Sequence, residues 1–508
     1  MTKIAVATTS QLAAHAAAEV AELGGNAVDC GLAAAILAMN TEPGVCALAG
    51  GAFVTIWAPG ADPVTIDGNV TVPGAGLPDG NREHSTDSVS MDYGGSLTTL
   101  VGPGSVAVPG TLAALESAWK HYGRVRWKDL FAPTIAAVRD GFPLPAACHY
   151  YLGYSGDCIF GRCGDGHAAL HNSDGSLRDA GSLIVVPHLA DTLTAISEEG
   201  ARTFYAGDIA RALTTHVRGG NGMLTAEDLK NYCAIERPSL TVDVGPWTIA
   251  SNPPPAVGGV VLVAMLLACA DLPLRSWNRD ALASLVRVQR AALRFRQRHL
   301  DLADDVGAAA ADMLESARSG QLVTRWASAS TVHTSVVDDG GFGCAITASS
   351  GYGSGEMPPG TGLWLNNCLG ELELNRRGLQ AGPPGLRLPS NMAPSVARHG
   401  GQIIAVGSPG ADRITTALHQ FLINYMRMEM PLVDAIAHPR VHVDTSGDAD
   451  RLMAEAGLDL PAVDMPVQVF PDLNMYFGGI GAVSCDAAGG LEAAADPRRE
   501  GVVYCGDG

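Results

Sequence analysis

Positive charge is scarce in this chain. Its 508 residues carry 33 lysines and arginines against 52 aspartates and glutamates, for a net charge of −19 and a pI near 5.1. Nucleic acids and anionic membranes both draw proteins through basic patches, so neither is expected as a partner. Long apolar runs are missing too. The longest, Val260 to Ala270, is about half of what a membrane-spanning helix needs. Met1-Thr2-Lys3-Ile4-Ala5-Val6-Ala7 has no apolar core flanked by positive charge and a cleavage site, so no secretory signal is read there. Eleven cysteines are an odd number without the spacing of a disulfide framework. A reducing compartment follows, and a cytoplasmic location is expected.

Metal-ligand spacing is equally thin. Cys158, Cys163, His167 and His171 can be drawn as C-x4-C-x3-H-x3-H, but no tight C-x2-C pair is present. The stretch from Tyr150 to Ser176 is rich in glycine, serine and aspartate and reads as a surface excursion. No metal and no organic cofactor are expected.

What is present is glycine and apolar residues. Sixty-one glycines and 47% hydrophobic residues describe a tightly packed, turn-rich globular protein. Length alone allows roughly two to four domains. Alanine and leucine fall on a helical period over Gln11–Leu23 and again over Ala27–Met39, with Gly24-Gly25-Asn26 between. After Ala49-Gly50-Gly51 a strand is predicted over Ala52–Ala58. Helices follow over Thr111–Tyr122, Trp127–Asp140, Leu189–Glu199, Asp208–Val217 and Ala226–Tyr232. Thr225 and Asp228 form a capping-box pattern at the start of the last.

Strands Leu240–Val244 and Trp247–Ser251 lead into a buried helix over Gly258–Ala270. A basic helix, Arg279–Leu302, carries Arg287, Arg290, Arg294, Arg296 and Arg298 and reads as a solvated or interface face. From Thr331 the pattern changes. Ser335–Val337 and Cys344–Ser349 read as a hairpin, and Thr361–Leu365, Ser395–Arg398 and Gln402–Gly407 as further strands. Helices Ile414–Met430 and Leu432–Ala437 come next, then strands Val467–Phe470, Ala482–Cys485 and Leu491–Ala495. Strands flanked by helices on both sides suggest an αββα layering.

Thr331 is the residue with the most chemistry in its surroundings. Ala329-Ser330-Thr331-Val332-His333-Thr334 opens a β-type run deep inside the chain, and Gly351, Gly353 and Gly355 follow. A threonine freed at its α-amine carries nucleophile and base on one residue, since the neutral amine, with a pKa of about 8, accepts the hydroxyl proton. Taken alone, Thr331 is equally a β-branched strand residue.

Its wider setting decides between the two. In order along the chain come Gly24-Gly25-Asn26-Ala27-Val28-Asp29, Glu42-Pro43, Gly50-Gly51-Ala52-Phe53, Val106-Ala107-Val108-Pro109-Gly110 and Tyr122-Gly123-Arg124. Leu224-Thr225-Ala226-Glu227-Asp228-Leu229, Pro253-Pro254-Pro255, Thr331-Val332-His333 and Gly362-Leu363-Trp364-Leu365-Asn366-Asn367 follow. Pro389-Ser390-Asn391-Met392-Ala393-Pro394, Gly407-Ser408-Pro409-Gly410 and Asp496-Pro497-Arg498 complete the series. With these landmarks the chain resembles the γ-glutamyltranspeptidase family of N-terminal nucleophile hydrolases over essentially its whole length. The resemblance implies an α+β, four-layer αββα fold and a precursor that cuts itself between Ser330 and Thr331. A large subunit of residues 1–330 and a small subunit of 331–508 would result and stay associated.

The resemblance also implies site roles. Thr331 would be the nucleophile, with Ser349 hydrogen-bonded to its amine. The backbone amides of Gly410 and Ala411 would form the oxyanion hole, where the family usually has two glycines. Alanine keeps the amide, so the chemistry survives unless the backbone needs a positive φ. The substrate pocket departs further. Asn69 stands where the family has an arginine that grips the substrate carboxylate in a two-pronged contact. An asparagine does not reproduce that fork. Cys368 replaces a glutamine and Glu371 an aspartate, while Ser390 and Asn391 stand where the family has two serines. Arg376, Arg377 or Arg387 would be candidates for a compensating charge.

These departures favour a self-cleaving hydrolase acting on a small non-γ-glutamyl substrate, as in antibiotic-type metabolism, at an amide or a C–C bond. A glutathione hydrolase or transpeptidase is the alternative, and a non-catalytic relative of the family is a third reading.

Overall fold

The computed structural model describes residues 2–78, 85–91, 97–319, 331–372, 375, 377–445, 449–499 and 501–507. Two large antiparallel sheets lie at its centre. The first has seven strands in the order Val502–Asp507, Lys3–Thr8, Val332–Asp338, Gly343–Ser349, Gly51–Trp57, Val64–Gly68 and Ile235–Pro238. The second has six, in the order Leu491–Ala495, Gly481–Cys485, Gln402–Gly407, Ser395–His399, Trp247–Ser251 and Leu240–Val244. Each sheet draws strands from both sides of residue 331.

Period-two alternation sends side chains of the central strands to two different neighbours. Val337 and Ala345 face Val396, Ile403, Ala405 and Val483 of the second sheet. Val336, Cys344 and Ile346 point the other way, into a core shared with the helix Ala27–Thr41. That helix is buried along its entire length because it lies on the first sheet. Gly31 allows the approach, since a Cβ there would sit 3.3 Å from Ile346 Cδ1. Asn26 caps the helix, accepting from the N–H groups of Val28 and Asp29 at 2.9 and 3.1 Å. Helices Gly258–Ala268 and Arg413–Met426 cover the outer face of the second sheet. Helix, sheet, sheet and helix make the four-layer αββα arrangement. No helix among the described residues is long and apolar enough to cross a membrane.

Several elements differ from the sequence reading. Thr361–Leu365 is not a strand. Gly362 takes φ 64°, which interrupts extended backbone, and Leu365 keeps a single bridge to Ala49. The helix from Arg413 stops at Met426, four residues early, where the chain turns through Glu429 at φ 52°. Tyr150 to Ser176 is not a surface excursion. It holds the helices Ala146–Ser155 and Gly164–Leu170, with Tyr151, Leu152, Phe160 and Leu170 buried. Within it the Cys158 thiol donates to the Tyr154 carbonyl at 3.3 Å and the Cys163 thiol to the Met357 carbonyl at 3.4 Å. His167 and His171 stack at 4.2 Å. No group of three metal-ligating side chains converges among the described residues.

The basic helix is also reassigned. It is α-helical over Arg279–Phe295 and then widens into a π turn, Arg296–Leu300. Arg294 and Arg296 are buried, because acidic side chains from other elements meet them in the interior.

Candidate active site

Thr331 immediately precedes the third strand of the first sheet, Val332–Asp338, and is buried. Its strand pairs with Gly343–Ser349 through Val332 opposite Ala348, so one further step brings Thr331 level with Ser349. Ser349 in turn pairs with Gly51. Its Oγ is half-buried and accepts the Gly351 N–H at 3.2 Å.

The residue two positions on is locked. The His333 ring lies between Thr347 Oγ1 at 2.8 Å and Ser335 Oγ at 2.6 Å. Ser335 gives its proton to the Gly481 carbonyl at 3.1 Å. Nε2 of His333 is therefore the donor, and Nδ1 accepts from Thr347. Burial pushes this imidazole down to about 3, so it is neutral at physiological pH.

Thr331 and His333 line a cavity of about 60 Å3. Its walls include Glu42, Cys148, Tyr151, Asp496 and Arg499. Glu42 Oε1 accepts from Thr9 Oγ1 at 2.5 Å, and burial raises the carboxyl to about 7.

The turn Gly407 to Ala411 leads into the helix Arg413–Met426. Gly410 takes φ 121° and Ala411 φ 66°. The sequence reading made the alanine acceptable unless a positive φ was required; the turn does require one, and Ala411 adopts it. A left-handed alanine costs roughly 1–2 kcal/mol, which the surrounding packing sustains. Carbonyls of Gly410 and Ala411 accept from Arg413 and Ile414 at 3.0 and 3.2 Å. Among the described residues their own N–H groups have no acceptor. Two open amides at a helix N-terminus suit a developing oxyanion.

Asp412, the next residue, is held from two sides. Arg296 Nη1 donates to its Oδ1 at 2.7 Å, and Asn391 Nδ2 donates to the same oxygen. Arg296 also forks onto both oxygens of Asp301, at 3.0 and 3.2 Å. Burial pulls this guanidinium down, but the two carboxylates outweigh it and hold the pKa above the usual arginine value.

The remaining residues expected in the substrate pocket scatter around this centre. Asn69 is buried, and its Nδ2 donates to the Leu388 carbonyl at 2.7 Å. Arg387 sits behind it. The guanidinium donates to the carbonyls of Asn69, Asp67 and Cys233 and lies 4.6 Å over the Tyr232 ring. Arg377 pairs with Asp304 at 2.7 Å in the wall of another cavity, of about 470 Å3. Ser390 presents its carbonyl to the N–H groups of Val257 and Gly258 at 3.0 and 2.9 Å. Ser330 and Arg376 lie outside the described residues.

Cys368 and Glu371 do meet, through a hydrogen bond between thiol and carboxyl. Burial pushes Glu371 up to about 8, and burial, with the Glu371 charge second, holds the Cys368 thiol well above its usual range. Oε1 of Glu371 is buried without a hydrogen-bond partner, and the carboxyl presses on Gly351.

The register, extended by one residue, sets Thr331 level with Ser349, and the structure brings Cys368 and Glu371 together, and Asn391 to the Ala411 turn through Asp412. None of Asn69, Cys368, Glu371, Ser390 and Asn391 lines the Thr331 cavity. Sequence reasoning missed Glu42, Arg296, Asp412 and Arg499 as site residues. A signal existed for three of them. Glu42 lies in Glu42-Pro43, Arg499 follows Asp496-Pro497-Arg498, and Asp412 follows Gly410-Ala411 directly.

A layered αββα sandwich with a threonine at the head of a central strand defines an N-terminal nucleophile hydrolase. The family model described as gamma-glutamyltranspeptidase matches residues 13–505, and the chain belongs to that family. Proenzymes of this family are processed into large and small subunits. The chain is 28% identical to the glutathione hydrolase proenzyme of Pseudomonas aeruginosa, over 98% of this chain and 94% of that one. It is 26% identical to the glutathione hydrolase proenzyme of Escherichia coli K12, over 97% and 90%. In fold it is similar to the cephalosporin acylase from Bacillus halodurans, with a TM-score of 0.81 at 21% identity, covering 99% of this chain and 96% of the other.

Proposed function

We propose that the chain is a self-cleaving hydrolase whose nucleophile is Thr331 and whose acyl group is not γ-glutamyl. Cleavage between Ser330 and Thr331 yields a large subunit, 1–330, and a small one, 331–508. Their strands interleave in both sheets, which favours continued association. The Thr331 hydroxyl then attacks the substrate carbonyl as the freed α-amine takes its proton. Ser349, level with Thr331 in the register, is in position to orient that amine. The oxyanion faces the amides of Gly410 and Ala411. The departing half leaves with the proton, and water resolves the ester on Thr331.

The observation that carries the substrate reading is the state of the arginines. Asn69, which the resemblance sets in place of the family's carboxylate-gripping arginine, has its amide tied to Leu388; of the candidate compensating charges, Arg387 is engaged by three carbonyls and Arg377 is paired with Asp304. A buried γ-glutamyl carboxylate would lack its partner there. An antibiotic-type metabolic role in the cytoplasm, on an amide or a C–C bond, is consistent with this pocket. The likeness to two glutathione hydrolase proenzymes along nearly their full length favours the second reading, a glutathione hydrolase.

Intact-mass spectrometry followed by incubation with γ-glutamyl-p-nitroanilide separates them. Two chains split before Thr331 without glutamyl release support the proposal. Two chains with brisk release return the glutathione reading. A single uncut, inactive chain overturns both in favour of a non-catalytic relative.

A further inference from the structure

The loss of the family arginine at Asn69 leaves open where this site finds positive charge. Arg499 supplies it from another direction. It lines the cavity that Thr331 lines. Its aliphatic stem lies on Gly479, where a Cβ would come within 2.5–3.1 Å of its Cβ, Cγ and Cδ. A Cβ at Gly410 would lie 3.8 Å from Nη2, so the guanidinium abuts the turn that carries the two open amides.

Its own bonding is incomplete. Nε donates to the Gly478 carbonyl at 3.3 Å and Nη2 to the Met475 carbonyl at 3.2 Å. Nη1 has no acceptor, and no carboxylate lies within ion-pair distance among the described residues. Neither of the two neighbouring acids pairs with it among the described residues. Asp496 is saturated by Ile480 N–H at 2.8 Å, Arg498 at 3.0 Å and Arg440 at 2.7 Å. Glu42, on the cavity wall, accepts from Thr9 and Ser10, and burial raises its carboxyl to about 7, toward the neutral form. A guanidinium offers five donors in a fork that matches a carboxylate, so an unpaired one in a cavity wall is a recognition group.

The cavity also has a side. Besides Thr331, His333 and Pro409, the residues that line it come from Thr8–Thr9 and from the 42–45, 145–151 and 475–501 stretches, whereas Asn69, Cys368, Glu371, Ser390 and Asn391 lie outside it. If those five surround the acyl half of the substrate, the amine half faces Arg499.

Resting on the hydrolase reading above, we propose that Arg499 determines specificity by binding a carboxylate on the departing amine half of the substrate. The substrate class is then an amide of an amino acid, with the carboxylate free.

The test compares two probes that differ in one group, N-phenylacetylglycine and N-phenylacetylglycinamide. Calorimetric affinities are measured on wild type, Arg499→Gln and Arg499→Lys. The acid should bind wild type roughly tenfold or more tightly than the amide, the worth of one charge-assisted hydrogen bond. Arg499→Gln should erase that difference by weakening the acid alone, Arg499→Lys should keep part of it, and added salt should shrink it in wild type. Equal affinities in wild type, no binding of either probe, or a preference that survives Arg499→Gln would overturn the assignment. Should Arg499→Gln melt early, the lysine variant and the salt series still decide. Because calorimetry needs no turnover, an uncut or inactive chain would sink the hydrolase reading while leaving the carboxylate comparison to be settled separately.

Discussion

Arg296 Nη1 lies 2.7 Å from Asp412 Oδ1, and both side chains are buried. One residue sits on the π turn that ends the helix from Arg279, the other directly after Ala411. The pair joins two stretches on opposite sides of residue 331 and adjoins the left-handed turn at Gly410 and Ala411. Arg296→Met would leave Asp301 and Asp412 as buried charges without their shared partner. A loss of about 3–5 kcal/mol in unfolding free energy is expected. Urea unfolding checks it, and the double variant with Asp412→Asn should recover part of the loss. If Arg296→Met unfolds like wild type, the pair does not brace the turn.

On the proposed mechanism, Thr331→Ala removes the hydroxyl that self-cleavage and acyl transfer would use. A single full-length chain without hydrolase activity is expected on intact mass. Two chains from that variant would show that another residue cuts.

Ala411→Gly relieves a left-handed alanine without touching its amide. Stability should rise by up to about 1 kcal/mol, with self-cleavage retained. Chemical denaturation and a processing time course measure the two. Loss of processing would mean that the alanine methyl itself is needed.

The pH profile of stability has two limbs of opposite origin. Glu371 is raised to about 8 and Glu42 to about 7 by burial, from an ordinary 4.5. The folded protein therefore binds more protons than the unfolded chain across that window. Their contribution is complete below pH 4.5 and is lost as pH rises toward 8. His333 and His419, lowered to about 3, and His442, lowered to about 4, act in the other sense, and stability falls as pH drops below 6.5. Thermal melts should show both limbs, and Glu371→Gln should flatten the one between pH 5 and 8. An unchanged slope in that variant would remove Glu371 as its source.

Local order was legible where the signal is local. The helices Thr111–Tyr122, Trp127–Asp140 and Leu189–Glu199 and the strand Trp247–Ser251 have the bounds that periodicity predicts. The Thr225–Asp228 capping box forms as its spacing requires. These depend on contacts within a turn or two of chain. Lys3–Thr8 and Val502–Asp507 were invisible by the same rule. Each is extended because the other, nearly the whole chain away, supplies its hydrogen bonds. Thr361–Leu365 had a strand's composition but found no partner strand.

The site divides along the same line. Sequence by itself determined the family, because that rests on residue identities in order; Thr331 as nucleophile and Asn69 in place of an arginine are what the same resemblance implies. Tertiary structure decided which charges remain available. Arg296 became a buried brace and Arg387 a backbone clamp, while among the described residues Arg499 meets no acid at the Thr331 cavity. A charge is compensated or exposed by whatever distant carboxylate or carbonyl the fold brings within about 4 Å of it, and no local pattern along the chain encodes that distance.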